Sequence, residues 1–203
     1  MFTGIIESTA RIKSAKSKTG SLLLAIEKPK SWKLRAGDSV STDGVCLTVR
    51  QVGSKEYTTE LMPETLSKSY FGKALPRMVN LERAMKANDR FDGHIILGHV
   101  DTLGKLVVIR SNGRSKIIKV SFARQFQTLV AKKGSIAADG ISLTITNVGP
   151  GWFEVSLVDY TITHTTLGKK IKGDFVNLEF DIIAKYLNRF IKYAKHAKQF
   201  RSL

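Results

Sequence analysis

Short apolar runs alternate with turn signals along most of the 203-residue chain. The signals include Lys18-Thr19-Gly20, Gly37-Asp38, Gly53-Ser54, Ser111-Asn112-Gly113 and Gly149-Pro150-Gly151. That spacing predicts many short antiparallel strands. The clearest run follows an Asp-Gly pair at Asp43-Gly44, where Val45, Leu47 and Val49 fall on one strand face and Cys46 and Thr48 on the other. A second copy follows Asp139-Gly140 and sets Ile141, Leu143 and Ile145 against Ser142 and Thr144. A solvated strand face more often carries Lys, Glu or Arg. A row of small OH and SH groups therefore points to close packing against either a neighbouring element or a ligand. Alternate residues lie about 6.6 Å apart, which matches a fused heterocycle in size.

The two copies belong to a larger repeat with an offset of 96 residues. Ser39 to Thr42 lies over Ser135 to Ala138, Met62 to Leu66 over Val158 to Ile162, and Ser69 to Gly72 over Thr165 to Gly168. Small shifts in offset bring Val79 to Glu82 over Val176 to Glu179 and Gly4 to Glu7 over Gly98 to Asp101. Such an internal duplication predicts two similar domains, 1–88 and 89–181, joined near Lys86 to Asp92. Roughly 90 residues with about six strands and no long helical pattern form most economically a small closed barrel or a sandwich. The expected class is all-β. Short helical turns are expected near Ser31 to Leu34, near Thr65 to Gly72, and from Ala123 to Ala131 with its counterpart.

The last segment, 182–203, changes period. Ile182, Ile183, Tyr186, Leu187, Phe190, Ile191 and Ala194 recur at helical spacing, and Lys185, Asn188, Arg189, Lys192 and Lys195 fill the other face. The amphipathic helix expected from Ile182 to Phe200 would extend about 28 Å, longer than a lid on a small barrel requires. It can pack on its own barrel or meet copies of itself, and its length favours the second. A membrane-surface role fits less well, because the apolar stripe thins after Ala194.

The formal charge of +16 raises nucleic acid as a partner. The basic residues are spread through the chain, however, and a base-stacking aromatic pattern is missing, which argues against it. Nothing at the N-terminus reads as a secretory signal or a membrane span, and a lone cysteine suits a reducing, cytoplasmic location. Gly98 to Lys105 has the wrong spacing for a phosphate loop, and the four histidines form no metal-ligand motif. His99 is the main chemical candidate, since an imidazole exchanges protons near neutral pH and Ile5 stands at its first-half counterpart. Cys46 faces Ser142 across the duplication, and Glu64 faces Tyr160, so the halves differ chemically.

Several long stretches together resemble the riboflavin synthase family. They are MFTGIIE (Met1 to Glu7), GDSVSTDGVCLTV (Gly37 to Val49), MPETL (Met62 to Leu66), VNLERAM (Val79 to Met85), GHVDTLG (Gly98 to Gly104), KGSIAADGISLTI (Lys133 to Ile145), TTLG (Thr165 to Gly168) and VNLEFDIIAKY (Val176 to Tyr186). The resemblance implies two six-stranded Greek-key barrels related by duplication, plus a C-terminal helix that assembles a homotrimer. It implies dismutation of two 6,7-dimethyl-8-ribityllumazine molecules by four-carbon transfer, giving riboflavin and 5-amino-6-(D-ribitylamino)uracil, with no cofactor or metal. It also leaves room for association with lumazine synthase, and implies that the N-terminal barrel of one subunit works with the C-terminal barrel of its neighbour.

Carried over by motif, the residues implied to line the two pockets begin with Gly4, Ile5, Ile6, Cys46, Leu47, Thr48, Glu60, Leu61, Met62, Pro63, Glu64 and Thr65. The others are Gly98, His99, Val100, Lys133, Ser142, Leu143, Thr144, Ser156, Leu157, Val158, Asp159, Tyr160 and Thr161. In the implied chemistry His99 and Thr144 handle the proton of the acidic C7 methyl group, Ser142 or Cys46 assists addition at the acceptor, and Asp181 helps hold the pocket. Leu97, Asp92 and the pair Asp159-Tyr160 depart from the family pattern, which usually has Ser, Gly and Pro-His or Pro-Glu there. The second pocket is therefore expected to be the divergent one. The same fold also hosts non-catalytic lumazine- or flavin-binding proteins, and a basic nucleic-acid-binding barrel is the third alternative.

Overall fold

The computed structural model describes residues 1–199, so Phe200, which the helical periodicity includes, and the tail to Leu203 lie outside the described residues. Strands β1 (Ser8–Lys18), β2 (Ser21–Glu27), β3 (Ser39–Thr42), β4 (Val45–Val52), β5 (Glu56–Leu61) and β6 (Met78–Arg83) close into one barrel, paired in the order β1-β2-β5-β4-β3-β6. Strands β7 (Thr102–Asn112), β8 (Ser115–Ser121), β9 (Ser135–Ala138), β10 (Ile141–Gly149), β11 (Trp152–Leu157) and β12 (Phe175–Phe180) close a second in the equivalent order, β7-β8-β11-β10-β9-β12. Pairing of β2 with β5 and of β3 with β6 gives the Greek-key connection.

The strand alternation read from sequence holds. Val45, Leu47 and Val49 face the first barrel core and Ile141, Leu143 and Ile145 the second, all buried. Closure needs curvature, which bulges supply at matching places: β4 slips between Val49 and Gln51, β10 between Ile145 and Asn147. Each β5-like strand leads into a short helix, α1 (Pro63–Lys68) or α2 (Asp159–His164), followed by a 3-10 turn at Tyr70–Gly72 or Thr166–Lys169. A further 3-10 turn spans Arg124–Leu129. Ser31 to Leu34, in contrast, is not helical. A single bond from Trp32 N to Pro29 O at 3.0 Å tucks the buried Trp32 ring into the core, and no regular structure follows to Arg35.

The barrels meet at their two Asp-Gly turns. Both turns take positive φ at both central residues (Asp43 45°, Gly44 80°; Asp139 47°, Gly140 77°), the type I′ geometry that matches strand twist. The turns abut so closely that a Cβ on Gly44 would sit 2.7 Å from Gly140 N. Gly44→Ala is thus expected to lower stability by about 3 kcal/mol or more, measured by urea unfolding, because it combines φ strain with backbone overlap. An unchanged midpoint would show that the barrels separate freely at this contact.

The last element, α3 (Ile182–Gln199), starts with Asp181 Oδ1 accepting Ile183 N at 2.9 Å, a side-chain cap. Lys185 Nζ lies 2.6 Å from Asp101 Oδ2 and Thr128 Oγ1 donates to Asn188 Oδ1, which ties the polar side to the second barrel. The apolar stripe stays uncovered: Tyr186 is 72% exposed, Phe190 69% and Leu187 57%. Of the two sequence alternatives, packing of the stripe on its own barrel is therefore not the one adopted. Among the described residues no helix is long and apolar enough to cross a membrane.

Candidate functional site

The segment leading into each barrel packs on the other barrel's Asp-Gly strand. Gly4 O accepts Ser142 N at 2.9 Å, and Gly98 O accepts Cys46 N at 2.9 Å. Close approach requires glycine, since a Cβ on Gly98 would lie 2.5 Å from Cys46 Cβ. Two buried carboxylates hold these segments. Glu82 accepts Thr3 N, Thr3 Oγ1 and Gly4 N at 2.6 to 2.9 Å. Glu179 accepts Leu97 N, Gly98 N and His99 N at 2.8 to 2.9 Å. Burial raises both carboxyls above the ordinary range, against the opposing pull of the N–H groups they accept.

A cleft of about 570 Å³ forms on the first barrel, where Cys46 and the α1 residues Glu64, Thr65 and Lys68 face Gly98, His99 and Val100, with Phe126 from the second barrel. His99 is exposed at its edge. It is thus placed with Cys46, and no hydrogen bond joins it to Thr144 among the described residues. Thr144 lies outward on β10, two residues beyond Ser142.

The second barrel has its own imidazole. His94 is 8% exposed, and its Nδ1 lies 2.7 Å from Ser142 Oγ. Burial lowers its pKa, only partly countered by the charge of Asp181, so the ring is neutral at pH 7. A depressed pKa contributes stability that is present above the unfolded value of about 6.5 and is lost as pH falls through the folded value. Melting temperatures between pH 7.5 and 5 should therefore fall further for the wild type than for His94→Gln. Parallel curves would mean that His94 titrates freely.

The remaining carried-over residues divide by face. Leu47, Leu61, Leu143 and Leu157 point into the barrel cores and reach a ligand only through their backbone. Thr48 and Ser156 are exposed, and Ile5 and Ile6 flank the Gly4 segment. Glu60 is held by the hydroxyl of Ser21 and by Arg50. Met62 and Pro63 are exposed at the start of α1, as are Val158 and Asp159 at the start of α2. Tyr160, 65% exposed, stacks on His164 at 4.0 Å, and Thr161 is half-buried beside it. Lys133 is exposed and held at φ +69°, its N–H donating to Ile145 O.

Residues 3–84 and 97–181 each match the lumazine binding domain family. Over 200 residues the chain is 38% identical to a riboflavin synthase of Mycobacterium tuberculosis H37Rv, covering 96% of this chain and 100% of the relative. The chain belongs to the riboflavin synthase family. Other riboflavin synthases align over the same span, among them that of Actinobacillus pleuropneumoniae (38% identical; 94% of this chain, 90% of the relative). That of Bacillus subtilis strain 168 is 36% identical, with 98% of this chain and 93% of the relative covered. Among solved structures, LumP complexed with 6,7-dimethyl-8-(1'-D-ribityl) lumazine superposes with a TM-score of 0.79 at 18% identity, over 88% of this chain and 98% of that one. At that identity the likeness is one of fold, and it covers both barrels of this riboflavin synthase family member.

Sequence reasoning missed His94, Glu82, Glu179 and Phe126. The Val-Asn-Leu-Glu repeat was visible, but a glutamate on a strand reads as solvated until its backbone partners are known. His94 precedes the repeat, so it has no first-half counterpart to mark it.

Proposed function

We propose that the chain is a riboflavin synthase that dismutates two molecules of 6,7-dimethyl-8-ribityllumazine into riboflavin and 5-amino-6-(D-ribitylamino)uracil. The observation that carries this reading is an unequal pair of side-chain groups at equivalent places on related barrels, each a small SH or OH group with an imidazole: Cys46 and His99 line one cleft, and Ser142 is hydrogen-bonded to His94. A reaction between two copies of one molecule needs two similar pockets, and a donor distinct from an acceptor needs them unequal. Full-length identity to riboflavin synthases supports the same conclusion.

In this reading an imidazole removes a proton from the acidic C7 methyl of the donor, and the resulting anion is placed against the acceptor ring. His99, with its backbone N–H on Glu179 and its side chain at the cleft edge, takes the proton-handling role. In the tautomer with its proton on Nε2, His94 accepts the Ser142 hydroxyl at Nδ1 and makes that oxygen the better nucleophile at the acceptor C7. Asp181 caps α3 and faces His94 electrostatically, a supporting role. Pairing His99 with Thr144 requires a second chain, since the two stand on opposite barrels. A homotrimer through the exposed stripe of α3 would set the first barrel of one chain against the second barrel of its neighbour. The reaction as written takes no cofactor. A cytoplasmic location and association with lumazine synthase complete the proposal.

The test is incubation with purified dimethylribityllumazine while following riboflavin absorbance and fluorescence. Two lumazines consumed per riboflavin formed supports the enzyme. Tight binding without riboflavin overturns it in favour of a non-catalytic binder, and salt-sensitive oligonucleotide binding without turnover overturns it in favour of a nucleic-acid-binding barrel.

A further inference from the structure

At the contact between barrels the two halves are related almost residue for residue. Asp43 and Asp139 are both fully enclosed. Asp43 Oδ1 accepts Asn80 N at 2.8 Å and Asp139 Oδ1 accepts Asn177 N at 2.7 Å. The two asparagines reach across: Asn80 Nδ2 donates to Asp139 O and Asn177 Nδ2 to Asp43 O, at 3.0 and 2.9 Å. Their Oδ1 atoms accept Thr166 N and Tyr70 N at 2.8 and 2.9 Å.

The likeness ends at the second carboxylate oxygen. Asp43 Oδ2 is hydrogen-bonded to the phenol oxygen of Tyr70, a contact across which a protonated carboxyl can donate. Asp139 Oδ2 instead pairs with Lys170 Nζ at 3.1 Å. The counterpart of Tyr70 is Thr166, whose shorter side chain leaves its hydroxyl buried without a partner, and the counterpart of Lys170 is Ala74. One half meets its aspartate with a neutral phenol, the other with a cation.

Charge therefore does not balance if both carboxyls ionise. Lys170 is the one cation within ion-pair reach among the described residues, Asp174 nearby is occupied by Ile171 N, and burial keeps the Tyr70 phenol neutral. A second enclosed anion with no counter-charge is costly, and a bound proton removes it. We propose that this contact holds one proton and one ion pair, with the proton on Asp43 and the pair formed by Asp139 and Lys170, and that Lys170 is a positioning residue for both pockets. Burial and the neighbouring Asp139 charge push the Asp43 carboxyl well up, which agrees with that assignment. Lys170 acts at a distance because Cys46 and Ser142 lie three residues beyond the two aspartates, on strands that start at these turns. A shift of one turn against the other moves both pocket walls.

Infrared spectra of the full-length protein at pH 7, in H₂O and D₂O, test the proton directly and do not depend on the riboflavin synthase reading. The wild type should show a buried protonated-carboxyl band that Asp43→Asn removes, and Lys170→Met should add a second band that Lys170→Met with Asp139→Asn removes. A spectrum unchanged by Asp43→Asn, or no added band in Lys170→Met, overturns the assignment. The kinetic arm rests on the proposed function. Lys170→Met should lower kcat by about tenfold to a hundredfold, as small misplacements do, while Lys170→Arg and the charge-free double variant return most of it. Near-normal kcat in Lys170→Met, or no recovery in the folded double variant, overturns the positioning role. If Lys170→Met fails to fold, the double variant alone decides, since it should fold and turn over. A wild type that makes no riboflavin defeats the proposed function and leaves the infrared result standing.

Discussion

Replacing His99 with alanine is expected to lower single-turnover riboflavin formation by roughly two to four orders of magnitude, the range for losing a positioned acid or base. Lumazine affinity should change far less, because the segment that carries His99 is held by its backbone. Glu179 binds three consecutive N–H groups there, and Cys46 N binds Gly98 O. The second imidazole does not substitute, since His94 is committed to Ser142 on the other barrel. The control is Val52→Ala, a part-exposed apolar position at the end of β4 outside both pockets, which should stay within about threefold. Near-normal turnover in His99→Ala would sink the division of roles, and a comparable loss in both variants would point to a packing defect instead.

The second large effect is expected from charge placed in the stripe of α3. With Leu187→Glu and Phe190→Glu, the chain should sediment as a monomer and lose at least about a hundredfold in turnover, the cost of losing oriented reactants. The two side chains are 57% and 69% exposed within one chain, so neither barrel loses a core contact and the β-rich circular dichroism should be retained. The loss would be one of assembly, because the proposed function sets His99 of one chain against Thr144 of a neighbour. A monomer that turns over at the wild-type rate would show that each chain works alone. A trimer that survives both charges would show that another surface holds it together.

What was legible in the sequence follows from which signals are local. Period-two alternation placed Val45, Leu47 and Val49 inward and Cys46 and Thr48 outward, and the helical period marked the α3 stripe, because both depend only on neighbouring residues. The repeat paired Gly98 with Gly4 but could not say which barrel either segment leans on. That choice is made by a distant carboxylate, Glu179 or Glu82, and by the hydrogen bonds to Cys46 and Ser142. Within one chain the fold groups His99 with Cys46, so the expected pairing of His99 with Thr144 is left to a contact between chains. Ser31 to Leu34 failed for another reason. Its polar and apolar mixture fits a helical turn, but one bond back to Pro29 and burial of the Trp32 ring use up the segment.

The crossed segments also set an order of events during synthesis. Thr3 to Ile6 leave the ribosome well before the strand they pack on, with Ser142, is made. The carboxylate that holds them, Glu82, arrives in between and can secure the segment early. The first barrel, for its part, can close all six strands once Arg83 has emerged, but its cleft gains His99 and Val100 only as the next stretch appears. A nascent chain would thus carry a folded barrel with an unfinished pocket, and neither pocket would be complete until both barrels had been made.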